Sequence, residues 1–269
     1  RHYRQLADTL SRRLTEHYFL PPHERSEYSQ TALAFAYRFC DPELLPRERI
    51  VEMLVALCDE GRNFDTGIFG TTPMLHILTA EGYGDIARRL LTKPEYPSYR
   101  AMLDLGATTL WEHWPVQGLE GGYEVYDGSM SHPMHAAFDE WLYTGVAGLA
   151  ARRSVREPWT FRWNDFPGLE RASAARRIPE GRISSEWRRD GSEIVWEIEV
   201  PAGIEAQIVI PACIQAIREG GRPLANQAET GRIRILPAMP ESGRQPLSVG
   251  SGSYKFSFPA PKHEKSQQI

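Results

Sequence analysis

Apolar side chains recur every three or four positions through the first half of the chain, which is the spacing of one face of an α-helix. In residues 2–18 the repeat falls on Tyr3, Leu6, Leu10, Leu14 and Tyr18. Comparable patterns predict further helices over about residues 29–40, 46–57, 72–81, 84–92 and 133–150. Gly61 and Gly82 close two of these segments, and glycine commonly ends helices. The pattern therefore predicts a helical first half.

Beyond Arg153 the hydrophobic period shortens to two residues, which is the alternation of a half-buried β-strand. The alternation is clearest over residues 194–200, 204–210 and 254–258. Turn residues such as Gly220-Gly221 separate the runs. Short strands spaced by such turns predict an antiparallel β-sandwich. The expected domains are helices over residues 1–150 and a sandwich over 154–262, with a polar tail over 263–269.

Composition narrows the possible partners. The chain has 269 residues, of which 41% are hydrophobic and 25% charged, and its net charge is −4. No basic excess is present to attract nucleic acid or anionic lipid, so we expect neither as a partner. No apolar run approaches the roughly 18 to 20 residues that cross a bilayer. The compartment stays open between cytoplasm and export.

Neither the cysteines nor the motifs of the sequence indicate a bound metal or cofactor. Cys40, Cys58 and Cys213 are odd in number and lie far apart in apolar segments, which predicts reduced core thiols rather than a disulfide framework. No cluster of histidine, cysteine and carboxylate has metal-ligand spacing, and no glycine-rich phosphate loop follows a strand. We therefore expect neither a metal nor a cofactor.

A long loop over residues 106–132 interrupts the helical half, and connections of this kind usually have only about 4 to 6 residues. It contains Trp111-Glu112-His113-Trp114 in a stretch otherwise poor in charge. Indole faces give a sugar ring apolar contact, and a carboxylate between them can accept a proton or polarise a water. The segment predicts a sugar subsite with Trp111 and Trp114 as its walls. A buried structural turn is the alternative interpretation.

The order of helices and loops suggests where other site residues lie. Paired helices joined by alternately short and long loops fit an arc of an α/α toroid, whose long loops carry the site at one end. Asp65 and Asp127 lie on loops expected at the same end as Glu112, and either could bind sugar hydroxyls. His76, in the middle of a predicted helix, is interpreted as structural.

Three blocks of sequence resemble the C-terminal half of the α-L-rhamnosidases, glycoside hydrolases with an (α/α)6 barrel followed by a small β-sandwich. The blocks are Thr66-Gly-Ile-Phe-Gly-Thr71 with Glu81-Gly82-Tyr83 after it, Gly106-Ala-Thr-Thr-Leu-Trp-Glu112-His-Trp114, and Ser129-Met-Ser-His132 with Glu140-Trp-Leu-Tyr143. The second block is the most specific. The resemblance spans residues from about 29 to 258 and implies partial toroid helices followed by a sandwich.

The resemblance also implies roles and partners. Glu112 matches the general base of an inverting hydrolysis, and His132 matches a histidine that contacts the bound sugar. The substrate would be a rhamnose-containing glycoside or oligosaccharide. No segment matches the family's acidic motif that supplies the general acid. The chain is therefore expected to be the C-terminal portion of a longer enzyme, with the acid and the N-terminal half of the barrel outside it.

Some residues depart from the family pattern, so the function has alternatives. His113 stands where the family usually has arginine, and Ser131 stands where asparagine usually precedes His132. These changes leave open a shifted sugar preference or a decayed site. One alternative is therefore a non-catalytic carbohydrate-binding or structural module, and another is an (α/α)6 hydrolase that acts on a different sugar.

Overall fold

A computed structural model describes residues 2–20, 28–59, 62–114, 116–117, 123–124, 128–150, 152, 154, 157–212, 214–226, 232–239 and 244–261. The chain divides into two compact units, residues 1–139 and 140–269. The expectations for Gly61, Asp127, Cys213 and the tail over 263–269 concern positions outside the described residues. The domain limits expected from the sequence stay predictions.

The first unit is built mainly of helices. They are α1 (His2–Tyr18), α2 (Gln30–Phe39), α3 (Arg47–Asp59), α4 (Thr71–Ala80), α5 (Gly84–Thr92) and α6 (Tyr99–Asp104). The first five lie within two residues of the predicted bounds, so these predictions are confirmed. Two short strands, β1 (Val116–Gln117) and β2 (Tyr123–Glu124), form an antiparallel pair. Among the described helices, none combines the length and apolar character needed to cross a membrane.

The local sequence explains one helix start and one helix end. The Ser29 hydroxyl accepts a hydrogen bond from the Ala32 amide at 3.0 Å and caps α2. Gly82 adopts a φ of +89°, which a residue without a Cβ tolerates best, and it ends α4 as predicted. The apolar face of α1 is mostly exposed, with Tyr3 at 84% and Leu10 at 57%, while Leu14 is partly buried. The spacing therefore predicted the helix correctly, whereas most of the face that it marks is not buried.

The prediction of one helix from residue 133 to about 150 is wrong. The segment contains a 3-10 helix (Pro133–Ala137), a short α7 (Phe138–Trp141) and a π-helix (Leu142–Val146), and then enters a strand. Two glycines lie where the helical turns give way to the strand. A Cβ on Gly145 would lie 2.7 Å from the Trp141 ring, and Gly148 has a φ of +78° that turns the chain out of the helix.

The second unit holds two β-sheets. Its strands are β3 (Leu149–Ala150), β4 (Trp159–Arg162), β5 (Arg171–Ile178), β6 (Gly181–Asp190), β7 (Glu193–Val200), β8 (Ala206–Ile210), β9 (Arg218–Glu219), β10 (Arg222–Pro223), β11 (Ile233–Ile235), β12 (Gln245–Val249) and β13 (Gly252–Pro259). In the described residues one sheet has the order β10-β9-β13-β7-β6-β5 and the other β11-β12-β8-β4-β3. All pairs are antiparallel except β4 with β8, which are parallel.

Inward-facing residues of both sheets form one core. Strand β13 pairs with β7 so that Phe256 lies opposite Trp196, and both side chains are fully buried. The Trp196 Nε1 donates to the Ser185 hydroxyl at 2.8 Å, and that hydroxyl donates to the Ala147 carbonyl at 2.5 Å. The Trp187 Nε1 donates to the Val146 carbonyl at 2.8 Å. Each buried donor in this group is therefore satisfied, as a stable core requires.

Cys40 and Cys58 are buried and form no disulfide among the described residues, in agreement with the predicted reduced core thiols. Burial raises the pKa of the Cys40 thiol. The thiolate is the nucleophilic form, so this shift disfavours reactivity at Cys40.

Gly148→Ala is expected to lower the free energy of unfolding by about 3 kcal/mol. Its φ of +78° disfavours a side chain, and a Cβ would lie 2.7 Å from the Arg162 carbonyl oxygen. Denaturant titration followed by circular dichroism measures the loss. Gly191→Ala is the matched control, because Gly191 has a φ of +61° with nothing within 4 Å of the added carbon, and it should lose only about 1 kcal/mol. Equal losses would contradict the steric part of the argument.

Candidate active site

Two backbone segments of the long loop are hydrogen-bonded to each other and carry Glu112 and His132. The Glu112 amide donates to the Ser129 carbonyl at 2.9 Å, and the His132 amide donates to the Leu110 carbonyl at 2.7 Å. The loop thus returns on itself and brings together two residues that lie far apart in sequence. These are the two residues for which the family resemblance implies the roles of base and sugar contact.

The Glu112 carboxylate lies between two imidazoles. Its Oε2 accepts a hydrogen bond from the Ser129 amide at 3.2 Å and lies 3.9 Å from the His132 Nδ1. Its Oε1 lies 3.9 Å from the His113 Nε2, which is beyond hydrogen-bond distance. The side chain is 33% exposed, and within the described residues Oε1 accepts no hydrogen bond. Oε1 is therefore available to accept a proton from a water molecule.

The two histidines differ in their surroundings. The His113 side chain is 54% exposed, whereas that of His132 is 23% exposed and its Nε2 is buried without a hydrogen-bond partner among the described residues. Gly128 allows the loop to pass close by, because a Cβ there would lie 2.9 Å from the His113 ring and 3.7 Å from the Glu112 Oε2. In the described ranges, no three His, Cys, Asp or Glu side chains are grouped to hold a metal ion.

The two tryptophans that flank Glu112 are packed to different degrees. Trp111 is only 6% exposed. Trp114 is partly buried and stacks on Phe64, with ring centroids 5.3 Å apart and planes 9° apart. Its Nε1 donates to the Thr66 carbonyl at 2.7 Å. Both indoles therefore have a packing role, and their contact with a sugar stays a prediction.

Asp65 lies beside Thr66 on the loop that Trp114 contacts. Its Oδ1 accepts a hydrogen bond from the Gln30 amide at 2.8 Å, at the N-terminus of α2, and its own amide donates to the Gln30 side-chain oxygen at 3.1 Å. The residue as a whole is exposed, but loss of water around the carboxyl raises its pKa, while the Gln30 amide and the charge of Arg62 oppose that rise. One carboxylate oxygen of Asp65 is thus engaged within the protein.

His135 was not singled out by sequence reasoning, yet it lies next to the Glu112 segment. It is 2% exposed, and its Nδ1 lies 2.6 Å from the Trp111 carbonyl oxygen. Its ring contacts Trp114 at a centroid distance of 4.5 Å. The available signal was its spacing, because a residue three positions after His132 at a helix start lies on the same side of that helix.

Known proteins similar to this chain are α-L-rhamnosidases. One from Streptomyces avermitilis is 30% identical over 214 residues, which cover 78% of this chain and 19% of that protein. One from Formosa agariphila is 26% identical over 242 residues, which cover 86% of this chain and 24% of that protein. The chain thus spans about a fifth to a quarter of these relatives.

Solved structures show the same fold. The Streptomyces avermitilis α-L-rhamnosidase complexed with L-rhamnose matches 87% of this chain and 23% of its own, with a TM-score of 0.70 and 25% identity. The α-L-rhamnosidase from Dictyoglumus thermophilum matches 96% of this chain and 29% of its own, with a TM-score of 0.76 and 23% identity. The prediction of partial toroid helices followed by a β-sandwich is confirmed.

Family models cover both parts of the chain. Residues 1–146 match the bacterial α-L-rhamnosidase six-hairpin glycosidase domain, and residues 159–222 match the bacterial α-L-rhamnosidase C-terminal domain. The first match alone covers more than half of the 269 residues. The chain therefore belongs to the bacterial α-L-rhamnosidase family.

Proposed function

We propose that the protein carrying this chain hydrolyses terminal α-L-rhamnosides with inversion, and that Glu112 is its general base. The proposal rests on the arrangement of the Glu112 carboxylate. One oxygen of Glu112 is held by the Ser129 amide, and the other is open to a water molecule. A general base needs such fixed orientation together with hydrogen-bond reach to the proton that it removes.

The proposal places the general acid outside this chain. An inverting glycosidase needs two carboxyl groups about 6.5 to 9.5 Å apart, one to protonate the leaving oxygen and one to activate water on the opposite face of the sugar. The curated relatives extend well beyond the part that matches this chain. The rest of the whole protein, including the N-terminal half of the toroid, would supply the acid and complete the substrate site.

The remaining site residues would bind the sugar. The His132 Nδ1 lies 3.9 Å from the Glu112 Oε2, and His132 would contact a hydroxyl of a sugar held against the carboxylate. Trp114 would contribute the accessible part of its indole, and Trp111 would act mainly through the backbone and packing next to Glu112. Asp65 would reach a hydroxyl with the carboxylate oxygen that does not bind Gln30.

The test is an assay of the complete protein against a panel of aryl glycosides. We expect release of the aryl group from the α-L-rhamnoside, at a kcat/KM at least about tenfold above that for other sugars. The first sugar product, observed by proton NMR, should be the β-anomer. The complete protein with an unrelated residue changed, such as Glu52→Gln on α3, serves as the control for protein quality.

Each alternative gives a distinct outcome. Binding of L-rhamnose without release of the aryl group would favour the non-catalytic module. Preferred cleavage of another aryl glycoside would assign a different sugar to the same site. An α-anomer as first product would mean retention of configuration, and it would remove the general-base role from Glu112.

A further inference from the structure

His135 is buried beside the segment that carries Glu112, and it has no role in the chemistry proposed above. Its Nδ1 lies 2.6 Å from the Trp111 carbonyl oxygen. A carbonyl oxygen can only accept a hydrogen bond, so Nδ1 must carry the proton and donate it. The Nε2 is then the unprotonated nitrogen, and it is buried with no hydrogen-bond partner in the described part of the chain.

The surroundings favour the neutral imidazole. Burial lowers the pKa of His135, the hydrogen bond to Trp111 opposes that shift, and the neighbouring His132 and His113 lower the pKa further. A proton on Nε2 would place a positive charge and an unpaired donor among aromatic rings, which is costly. His135 is therefore a neutral donor with one fixed tautomer.

The hydrogen bond of His135 acts on the peptide unit that leads into Glu112. The Trp111 carbonyl and the Glu112 amide belong to the same planar peptide group. The carbonyl is held by His135, and the amide on the other side donates to the Ser129 carbonyl at 2.9 Å. Hydrogen bonds at both ends fix the plane, and with it the direction in which the Glu112 side chain leaves the backbone.

His135 is itself held from two directions. The Tyr99 hydroxyl donates to the His135 carbonyl at 2.9 Å, and the His135 amide donates to the His132 carbonyl at 3.0 Å. Its ring packs edge-on against Trp114 and Tyr99. The residue therefore connects the backbone before Glu112 to the backbone of His132.

We propose that His135 is a positioning residue, whose Nδ1–H holds the Trp111–Glu112 peptide and so sets the general base against His132 and the sugar. This inference rests on the proposed function. Displacement of a catalytic group by about 1 Å can lower the rate about 100-fold, so the loss of this hydrogen bond should act on turnover more than on binding.

The test compares two substitutions in the complete protein, with an aryl α-L-rhamnoside as substrate. His135→Phe keeps a ring but removes the donor, and we expect kcat to fall about 10- to 100-fold while KM stays within about threefold. His135→Asn places an amide N–H near the position of Nδ1, and it should restore kcat to within about fivefold of the starting protein. His76→Phe, on α4, is the matched control for a histidine-to-phenylalanine change and should leave kcat unchanged.

The results separate this inference from the proposed function. If the unaltered protein is active and His135→Phe keeps full kcat, or if both variants lose only thermal stability, the positioning role is wrong. If the unaltered protein cleaves no rhamnoside, the proposed function fails instead. Nitrogen-15 NMR of the histidine rings then tests the hydrogen bond in the unaltered protein, so this test needs neither an activity nor a folded variant. His135 should be neutral and protonated at Nδ1 at pH 7. A proton at Nε2 would overturn the inference.

Discussion

Glu112→Gln is expected to lower kcat of the complete protein on an aryl α-L-rhamnoside by about 1,000-fold and to leave KM within about threefold. The amide keeps the size of the side chain and can still accept a hydrogen bond, but it cannot take a proton from water. Ground-state contacts with the sugar are little changed, so the loss should fall on the chemical step. Steady-state kinetics give kcat and KM, and calorimetry with L-rhamnose checks binding directly.

The control for this substitution is Glu52→Gln. Glu52 lies on α3, where it pairs with Arg49 at the surface, and the same chemical change there should leave kcat unaltered. A Glu112→Gln protein with undiminished turnover would remove Glu112 from the mechanism. A protein that loses turnover and L-rhamnose affinity together would indicate that Glu112 acts in binding.

Trp196→Ala is expected to lower the free energy of unfolding by about 3 to 5 kcal/mol. Trp196 is fully buried between the two sheets, and its indole N–H is bonded to Ser185. Truncation leaves a cavity and removes the N–H that donates to the Ser185 hydroxyl. The cost of the cavity and the cost of the lost hydrogen bond therefore add. Guanidinium titration of the chain, followed by near-ultraviolet circular dichroism, measures the change.

One further variant separates the loss of packing from the loss of the hydrogen bond, and a second variant is a surface control. Trp196→Phe keeps most of the buried surface but loses the N–H, and it should be less damaging than alanine. Glu193→Ala changes an exposed residue on the same strand and should stay within about 0.5 kcal/mol of the starting protein. A loss below about 1 kcal/mol for Trp196→Ala would contradict the assignment of this indole to the core.

Periodic patterns predicted the parts of the fold whose burial is regular. The alternation over residues 194–200 and 254–258 corresponds to β7 and β13, whose inward side chains are buried. Strand β5 gave no such signal, because it is a sheet edge with arginine, serine and alanine and its residues are at most partly buried. Helix α6 has six residues, too few for a helical repeat to be recognised.

The sequence predicts the residues of the candidate site one by one, but not their arrangement in space. The resemblance named Glu112 and His132, but their proximity depends on hydrogen bonds between segments far apart in sequence, which no local pattern encodes. His135 was missed for a related reason. Its proposed role depends on a contact with the Trp111 carbonyl, and a backbone acceptor leaves no mark in the sequence.

The pairing of residues 110–112 with residues 129–132 has a practical consequence for redesign. Grafting either stretch alone from a relative, in order to alter the proposed sugar site, would shift the other stretch through their shared hydrogen bonds. Libraries for altered selectivity should therefore exchange both stretches as one cassette, and natural diversification of this enzyme family would be expected to change them in concert.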